Sequence, residues 1–308
     1  MTDLLVTGGC GYIGSALVPL LADDDRVGRV VVFDDLSSGS PRHLMGCVED
    51  IEFRQGDVRE YGDVESAARG VDAVVHLAAI TGADSTHDRR KETYATNLEG
   101  TRNVLTAAGK VGVGRVVLAS SCNIYGRATS TDIDEGTEPD PINPYAETKH
   151  ESESLLAEYA DEHGLSGTAL RLSTVYGDAP GIRFNLVVNQ FVFRALTGRP
   201  LTVYGDGSNW RPFIHVRDAA RAYRAAALEP EDWSKPVYNV GANAENYRIS
   251  GVATLISEAI DAVDVTYLED EHPGPSYHVN FDRVAETGFE LDYSLDEGVR
   301  DLARRFRG

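Results

Sequence analysis

The run LLVTGGCGYIGSALVPLL constrains this chain more than any other stretch, because an apolar strand-like segment enters a helix through a turn carrying Gly8, Gly11 and Gly14. A turn of this kind needs residues without side chains, so that backbone N–H groups at the helix N-terminus can approach a pyrophosphate. Tyr12 and Ile13 are carried in the same turn. The next apolar run ends VVVFDD, which places Asp34 twenty residues beyond Gly14. A carboxylate there accepts from the adenosine ribose hydroxyls and repels the extra phosphate of NADP, so NAD is the expected cofactor. Asp35 reads as a turn residue or as a second contact to that ribose.

Short apolar runs alternate with longer amphipathic ones through the first half, the pattern of βαβ units in a parallel sheet. Strands are expected at 4–7, 30–33, 51–54, 73–77, 116–119 and 168–172, and their continuous Val/Ile/Leu/Ala character suits strands covered on both faces. Helices are expected near 12–22, 60–68, 91–109 and 145–163. After about residue 173 the chain becomes loop-rich, with helices near 184–197, 216–228, 249–262 and 294–306. The expected division is a dinucleotide-binding domain of 1–172 plus 211–241 and a smaller substrate lobe of 173–210 plus 242–308, since FIHVRDAARAYRAAA returns to strand-then-helix character.

Two further segments suit the same cofactor. GDVRE puts Asp57 and Val58 after the third strand, within reach of an adenine ring, although Asp57 reads equally as a helix cap. HLAA puts the small residues Ala78 and Ala79 after the fourth strand, where the backbone can pass a ligand closely.

Tyr145 and Lys149, in NPYAETK, stand one helical turn apart on one face. An ammonium so placed is expected to stabilise a phenolate and lower the tyrosine pKa from about 10 toward neutrality. Ser121, in LASSCNIYG, follows the fifth strand at the carboxyl edge of the sheet, where ligands of open α/β folds bind. Its hydroxyl is positioned to bond a reacting oxygen beside Tyr145, with Ser120 as a turn neighbour.

The composition supports these readings. The net charge is −20, and the only lysines are Lys91, Lys110, Lys149 and Lys235. Such a field repels nucleic acid and anionic membranes, and an acidic surplus with arginine preferred over lysine is similar to proteins of salt-loving organisms. Cys10, Cys47 and Cys122 are too scattered for a disulfide framework or a zinc site, and no metal is expected. No stretch approaches the roughly 20 apolar residues of a membrane span, and the N-terminus lacks a secretory pattern, so a cytoplasmic location is expected.

The ordered set TGGCGYIG, DD, HLAA, YATNLEGT, SSCNIYG, PYAETK and RPFIHVRD resembles the extended short-chain dehydrogenase/reductase family, and within it the NAD-dependent epimerase/dehydratase branch typified by UDP-galactose 4-epimerase. The resemblance covers nearly the whole chain. It implies a doubly wound Rossmann sheet with a smaller C-terminal α/β substrate lobe, tightly held NAD, a nucleoside-diphosphate sugar as substrate, and a homodimer through the helices near 91–109 and 145–163. By motif position it assigns catalysis to Ser121, Tyr145 and Lys149, and a contact of Lys149 to the nicotinamide ribose. It gives Asn97 a structural or cofactor-side role. Arg211 would contact the substrate diphosphate, a bidentate guanidinium being suited to that, with an ion pair between lobes as the other reading.

Several positions depart from the branch. Where its sugar dehydratases carry an Asp-Glu pair after the catalytic Ser/Thr, this chain has Cys122 and Asn123, which disfavours dehydration. Thr174 in RLSTVYG replaces a usual substrate-facing Asn. EHPGP replaces an arginine-bearing segment, leaving Glu271 and His272 near the expected anchor, with His272 either bonding a phosphate or sitting in a turn. Arg183, Asn185 and Asn189 are candidates to compensate. The expected activity is NAD-dependent epimerisation at C4 of a nucleotide sugar. The alternatives are a dehydrogenase or 4-ketoreductase on the same substrates and, remotely, a non-catalytic NAD-binding sensor.

Overall fold

Leu4 and Val6 face one side of the first strand and Leu5 the other, and the same two-residue alternation of Val30 and Val32 against Val31 and Phe33 recurs in its neighbour. Because both sides are apolar, both must be covered by helices. A computed structural model, describing residues 1–82, 84–127, 132–260, 263–268 and 274–307, shows that arrangement.

The first half runs β1 (Thr2–Thr7), α1 (Gly14–Ala22), β2 (Val27–Asp34), β3 (Glu52–Gln55), α2 (Tyr61–Ala68), β4 (Ala73–His76), α3 (Arg90–Tyr94), α4 (Gly100–Val111) and β5 (Arg115–Ser121). It continues through α5 (Pro144–His163), β6 (Ser166–Leu172), β7 (Thr174–Tyr176), α6 (Val187–Leu196), β8 (Leu201–Tyr204), β9 (Trp210–His215) and α7 (Val216–Leu228). The last part holds β10 (Val237–Val240), β11 (Asn246–Arg248), α8 (Ile249–Ala259), β12 (Val265–Leu268), α9 (Asp282–Ala285) and α10 (Leu295–Arg307).

Seven strands form one sheet in the order β10-β6-β5-β4-β1-β2-β3, and every pair in it is parallel. α1 and α7 cover one face, and α2, α4 and α5 cover the other. This is the expected Rossmann-type α/β fold. The chain leaves β1 in one direction toward β2 and β3 and returns on the other side as β4, so a crevice opens above the carboxyl ends of β1 and β4. A third apolar cluster, built from α6, α8, α10, β8 and β9, makes a separate small core. Among the described residues no helix is long and apolar enough to cross a membrane.

Three features differ from the sequence reading. The six expected strands all form, and a seventh, β10, closes the sheet edge beside β6; four residues of VYNV are too short to show a period. The segment beginning at Arg211 is strand then helix, but β9 pairs with β7 and β11 in a separate three-stranded sheet, and only α7 reaches α1. The single helix expected at 91–109 is interrupted by a π-helical turn at Ala95–Glu99. Such a turn re-aims side chains, and here it carries Asn97.

His76, at the end of β4, is buried with both ring nitrogens bonded, Nδ1 to Thr7 Oγ1 at 2.6 Å and Nε2 to Thr101 Oγ1 at 3.0 Å. Burial lowers its pKa to about 3, and burial lowers that of His215 to about 4. In the unfolded chain a histidine titrates near pH 6.5. Between these values the unfolded state therefore binds more protons, and stability falls as pH falls from about 6.5 toward 4. With high salt screening the net charge, the urea midpoint is expected to drop between pH 7.5 and pH 4.5. A midpoint that holds or rises would count against these two histidines.

Candidate active site

The crevice is a cavity of about 820 Å³ that runs from the glycine turn past the ends of β4 and β5 to β7. Gly8 adopts φ +69°, and a Cβ there would lie 2.7 Å from the amide nitrogen of Ala78. A Cβ on Gly14 would lie 2.4 Å from the carbonyl oxygen of Gly9. Only glycine fits either position. α1 begins at Gly14 with no side chain capping its N-terminus, so the positive end of its dipole is open to an anion.

Asp34, at the end of β2, accepts from the amides of Cys10 at 2.9 Å and Leu36 at 2.8 Å. Burial raises its pKa, and those two hydrogen bonds oppose the shift. The carboxylate thus pins the glycine turn to β2 while forming part of the cavity wall. Asp35 also lines the wall and bonds Ser37 through its amide and hydroxyl, the turn geometry its position suggested. This glycine cradle, open helix end and acidic residue suit a dinucleotide: the turn would hold the pyrophosphate and Asp34 the adenosine ribose.

Asn143 caps α5, its Oδ1 accepting from Ala146 N at 2.9 Å with Pro144 in the first helical position. Tyr145 and Lys149 then project to one side, the ammonium 5.9 Å from the phenol ring centroid. Ser121 ends β5 and stands with Tyr145 in the cavity wall, where its hydroxyl acts to lower the phenol pKa. Ser120 is not a turn residue: it is buried in β5 and donates to Glu153 Oε1 at 2.5 Å.

The electrostatics correct one expectation. The Tyr145 pKa is raised, because burial dominates; the influences that lower it are the Ser121 hydrogen bond and then the charge of Arg183, and Lys149 is not among them. Lys149 is itself almost fully buried, which lowers its pKa to about 8 against the opposing charge of Glu153. Desolvation outweighs the helical pairing that the four-residue spacing suggested.

The cavity walls bring together Gly8, Gly11, Tyr12, Ile13, Gly14, Asp34, Val58, Ala78, Ala79, Ser121, Tyr145, Lys149, Thr174 and Asn185. Others on the sequence-derived set stand back from it. The Asp57 carboxylate bonds the amide and guanidinium of Arg59 instead of facing the cavity. Asn97 accepts from Ile80 N at 2.7 Å and donates to Ile80 O at 2.9 Å and Thr148 Oγ1 at 3.1 Å, clamping the loop after β4 to α5. Arg211 lies over the Tyr277 ring at 4.6 Å and donates to Trp210 O. Asn189 is fully buried and ties Gly177, Tyr12 and Arg183 O together. His272 and Glu271 lie outside the described residues.

Two lining residues carried no sequence signal. Tyr277 shares the cavity wall with Thr174 and Asn123, both of which act to lower its phenol pKa against burial, and Tyr223 reaches the cavity from α7 with a buried hydroxyl that has no partner among the described residues. Neither sits in a motif, and both arrive from elements far away along the chain.

A parallel doubly wound sheet with a glycine turn at β1 and a Ser-Tyr-Lys set at β5 and α5 defines an extended short-chain dehydrogenase/reductase. The model of the NAD dependent epimerase/dehydratase family matches residues 4–241, and the chain belongs to that family. It is similar to the low-salt glycan biosynthesis protein Agl12 of Haloferax volcanii, 29% identical and covering 99% of each chain. It is similar also to a dTDP-glucose 4,6-dehydratase of Actinoplanes, 30% identical over 99% of this chain and 97% of the relative. Among solved structures, the UDP-N-acetylglucosamine 4-epimerase of Methanobrevibacter ruminantium superposes with a TM-score of 0.90 at 27% identity, covering 99% of this chain and 98% of the other. The protein is an NAD-dependent enzyme of the sugar-nucleotide epimerase, dehydratase and decarboxylase group.

Proposed function

We propose that the enzyme is a 4-epimerase of a nucleoside-diphosphate sugar. The observation that carries this reading is the pairing of Ser121 and Tyr145 in one cavity with the glycine cradle, while no acid stands beside them at the next two positions. Cys122 is buried and its thiol faces Arg171 O, and the Asn123 amide accepts from Asn143 Nδ2. A dehydratase-type acid pair therefore has no counterpart here. The 4-epimerase of Methanobrevibacter, with its UDP-sugar ligand, supports the choice.

In this reading the Tyr145 phenol oxygen takes the proton of the C4 hydroxyl and later returns it. Ser121 bonds the same sugar oxygen and, with Arg183, favours the phenolate. Lys149 holds the nicotinamide ribose. Bound NAD supplies a reversible acceptor for the C4 hydride. Epimerisation leaves the sugar at its starting oxidation level, so no net reduced cofactor would accumulate. α4 and α5, packed side by side on one face of the sheet, are the proposed dimer surface.

Incubation with UDP-, dTDP- and GDP-hexoses, followed by chromatography of the products and absorbance at the NADH band, tests the reading. Interconversion of a C4 epimer pair without NADH build-up is the expected result. Stoichiometric NADH with an oxidised sugar would instead establish a dehydrogenase, and a dehydrated 4-keto-6-deoxy product would overturn the argument from Cys122 and Asn123.

A further inference from the structure

Tyr223 is fully buried and lines the cavity, and its hydroxyl meets no hydrogen-bond partner among the described residues. A buried polar group left unpaired carries a free-energy cost that a ligand removes by supplying the missing partner. Other polar groups at this end of the cavity are already engaged within the protein. Ser120 donates to Glu153 Oε1 at 2.5 Å, the Ser173 hydroxyl donates to Val240 O at 2.9 Å, and the Asn123 amide oxygen accepts from Asn143 Nδ2 at 2.9 Å. The Tyr223 hydroxyl is left open to a ligand.

The sheet order decides which part of a ligand can reach it. With the pyrophosphate on the glycine turn after β1 and the adenosine at Asp34 after β2, the nicotinamide half of NAD runs the other way, over β4, β5 and β6. α7, which carries Tyr223, packs against those three strands, so the hydroxyl belongs to that half. The cavity wall also holds Ile13, Ala119, Leu172 and Val175, apolar residues that suit a flat aromatic ring better than the hydroxyls of a sugar. A nicotinamide ring has one polar substituent, its carboxamide, whose oxygen needs a donor once water is displaced. Burial pushes the Tyr223 pKa well above its ordinary value, so the phenol keeps its proton and can donate it to a hydrogen bond.

We propose that the Tyr223 hydroxyl donates to the carboxamide oxygen of the nicotinamide and so fixes which face of the ring is turned toward Ser121 and Tyr145. This makes Tyr223 a cofactor-positioning residue that belongs neither to the glycine turn nor to the Ser-Tyr-Lys set. The proposal rests on the direction of the dinucleotide across the sheet, not on the reaction at C4. The reduced ring places more electron density on the carboxamide oxygen, so NADH gains at least as much from the bond as NAD.

Tyr223→Phe removes the hydroxyl and keeps the ring. Because that hydroxyl has no partner in the protein, the dinucleotide-free variant is expected to melt at the wild-type temperature or above it. The test is isothermal titration of dinucleotide-free wild type and variant with NAD, NADH and ADP-ribose. Loss of one neutral hydrogen bond predicts NAD binding weakened about three- to tenfold, NADH binding weakened at least as much, and ADP-ribose, which lacks the nicotinamide, unchanged. The 3-acetylpyridine analogue of NAD keeps the carbonyl oxygen and replaces the amide NH2 by methyl, and it should lose as much as NAD. An unchanged NAD affinity, or equal weakening of NAD and ADP-ribose, overturns the proposal. A loss for NAD that is absent for the analogue would put the hydroxyl on the NH2 group and overturn donation to the oxygen. A lower melting temperature with every affinity unmoved would assign the hydroxyl to an internal water, and a raised sugar KM with NAD affinity unmoved would assign it to the substrate; either result overturns the proposal. The titrations use no sugar, so failure of the epimerase reading leaves them decisive.

Discussion

Replacing Tyr145 with phenylalanine is expected to lower turnover by a factor of about 10³–10⁴, the upper range for removal of a positioned general acid–base, while NAD binding stays within a few-fold. The hydroxyl is the only group lost. The ring, the α5 cap at Asn143 and the packing of Ala146 and Thr148 remain. The dinucleotide cradle belongs to another part of the chain, at Gly8, Gly14 and Asp34, so its occupancy should be indifferent to the change. Steady-state assay on the converted substrate, with isothermal titration of NAD, measures the two sides separately. Turnover that survives in the variant would remove Tyr145 from the chemistry, and a wild-type protein that binds NAD yet converts nothing would restore the sensor reading.

The second large effect concerns stability. Arg171 on β6 and Glu153 on α5 form an ion pair at 2.7 Å with both side chains almost fully buried, at 6% and 7% exposure. Ser120 from β5 donates to the same carboxylate, and Tyr125 accepts from Arg171 Nη1 at 2.8 Å and donates to Asn239 on β10 at 2.7 Å. The network thus joins three adjacent strands to the helix that carries Tyr145 and Lys149. Arg171→Met leaves an uncompensated buried carboxylate and should cost about 3–5 kcal/mol. The double variant Arg171→Met/Glu153→Leu should recover much of that loss, because replacing a whole buried pair by apolar groups is often neutral. If the double variant is as unstable as the sum of the singles, the pair is not the coupled unit described here.

Glu153 also acts through Lys149. Its charge raises the lysine pKa against desolvation, so Glu153→Gln lowers it further from about 8, and the alkaline limb of the pH–rate profile moves to lower pH. A change in stability alone, with the limb unmoved, would limit Glu153 to a structural role.

Much of this molecule was legible in the order of residues because the forces involved act over a few positions. The glycine turn, the one-turn spacing of Tyr145 and Lys149 and the continuous apolar runs of β1 and β2 are all local, and each formed as its neighbours required. Ser121 was legible for the same reason, since it ends an apolar strand at a known edge of the sheet.

Only the tertiary structure decided the rest. The helix spacing of Tyr145 and Lys149 suggested a phenol pushed toward neutrality, yet its pKa depends on how much water surrounds it, and burial prevails. Thr81 and Arg183 meet across about a hundred residues of chain, and Tyr277 joins Thr174 and Asn123 in the cavity wall from the last part of the fold. Asp57 lay in a cofactor-side motif, but Arg59, two residues away, holds its carboxylate out of the cavity. β9, which reads like another strand of the main sheet, pairs elsewhere because its partners β7 and β11 come from distant segments. Composition and spacing determine which local units form; which of their side chains share one desolvated cavity, and with what charge, is settled only when packing brings distant segments together.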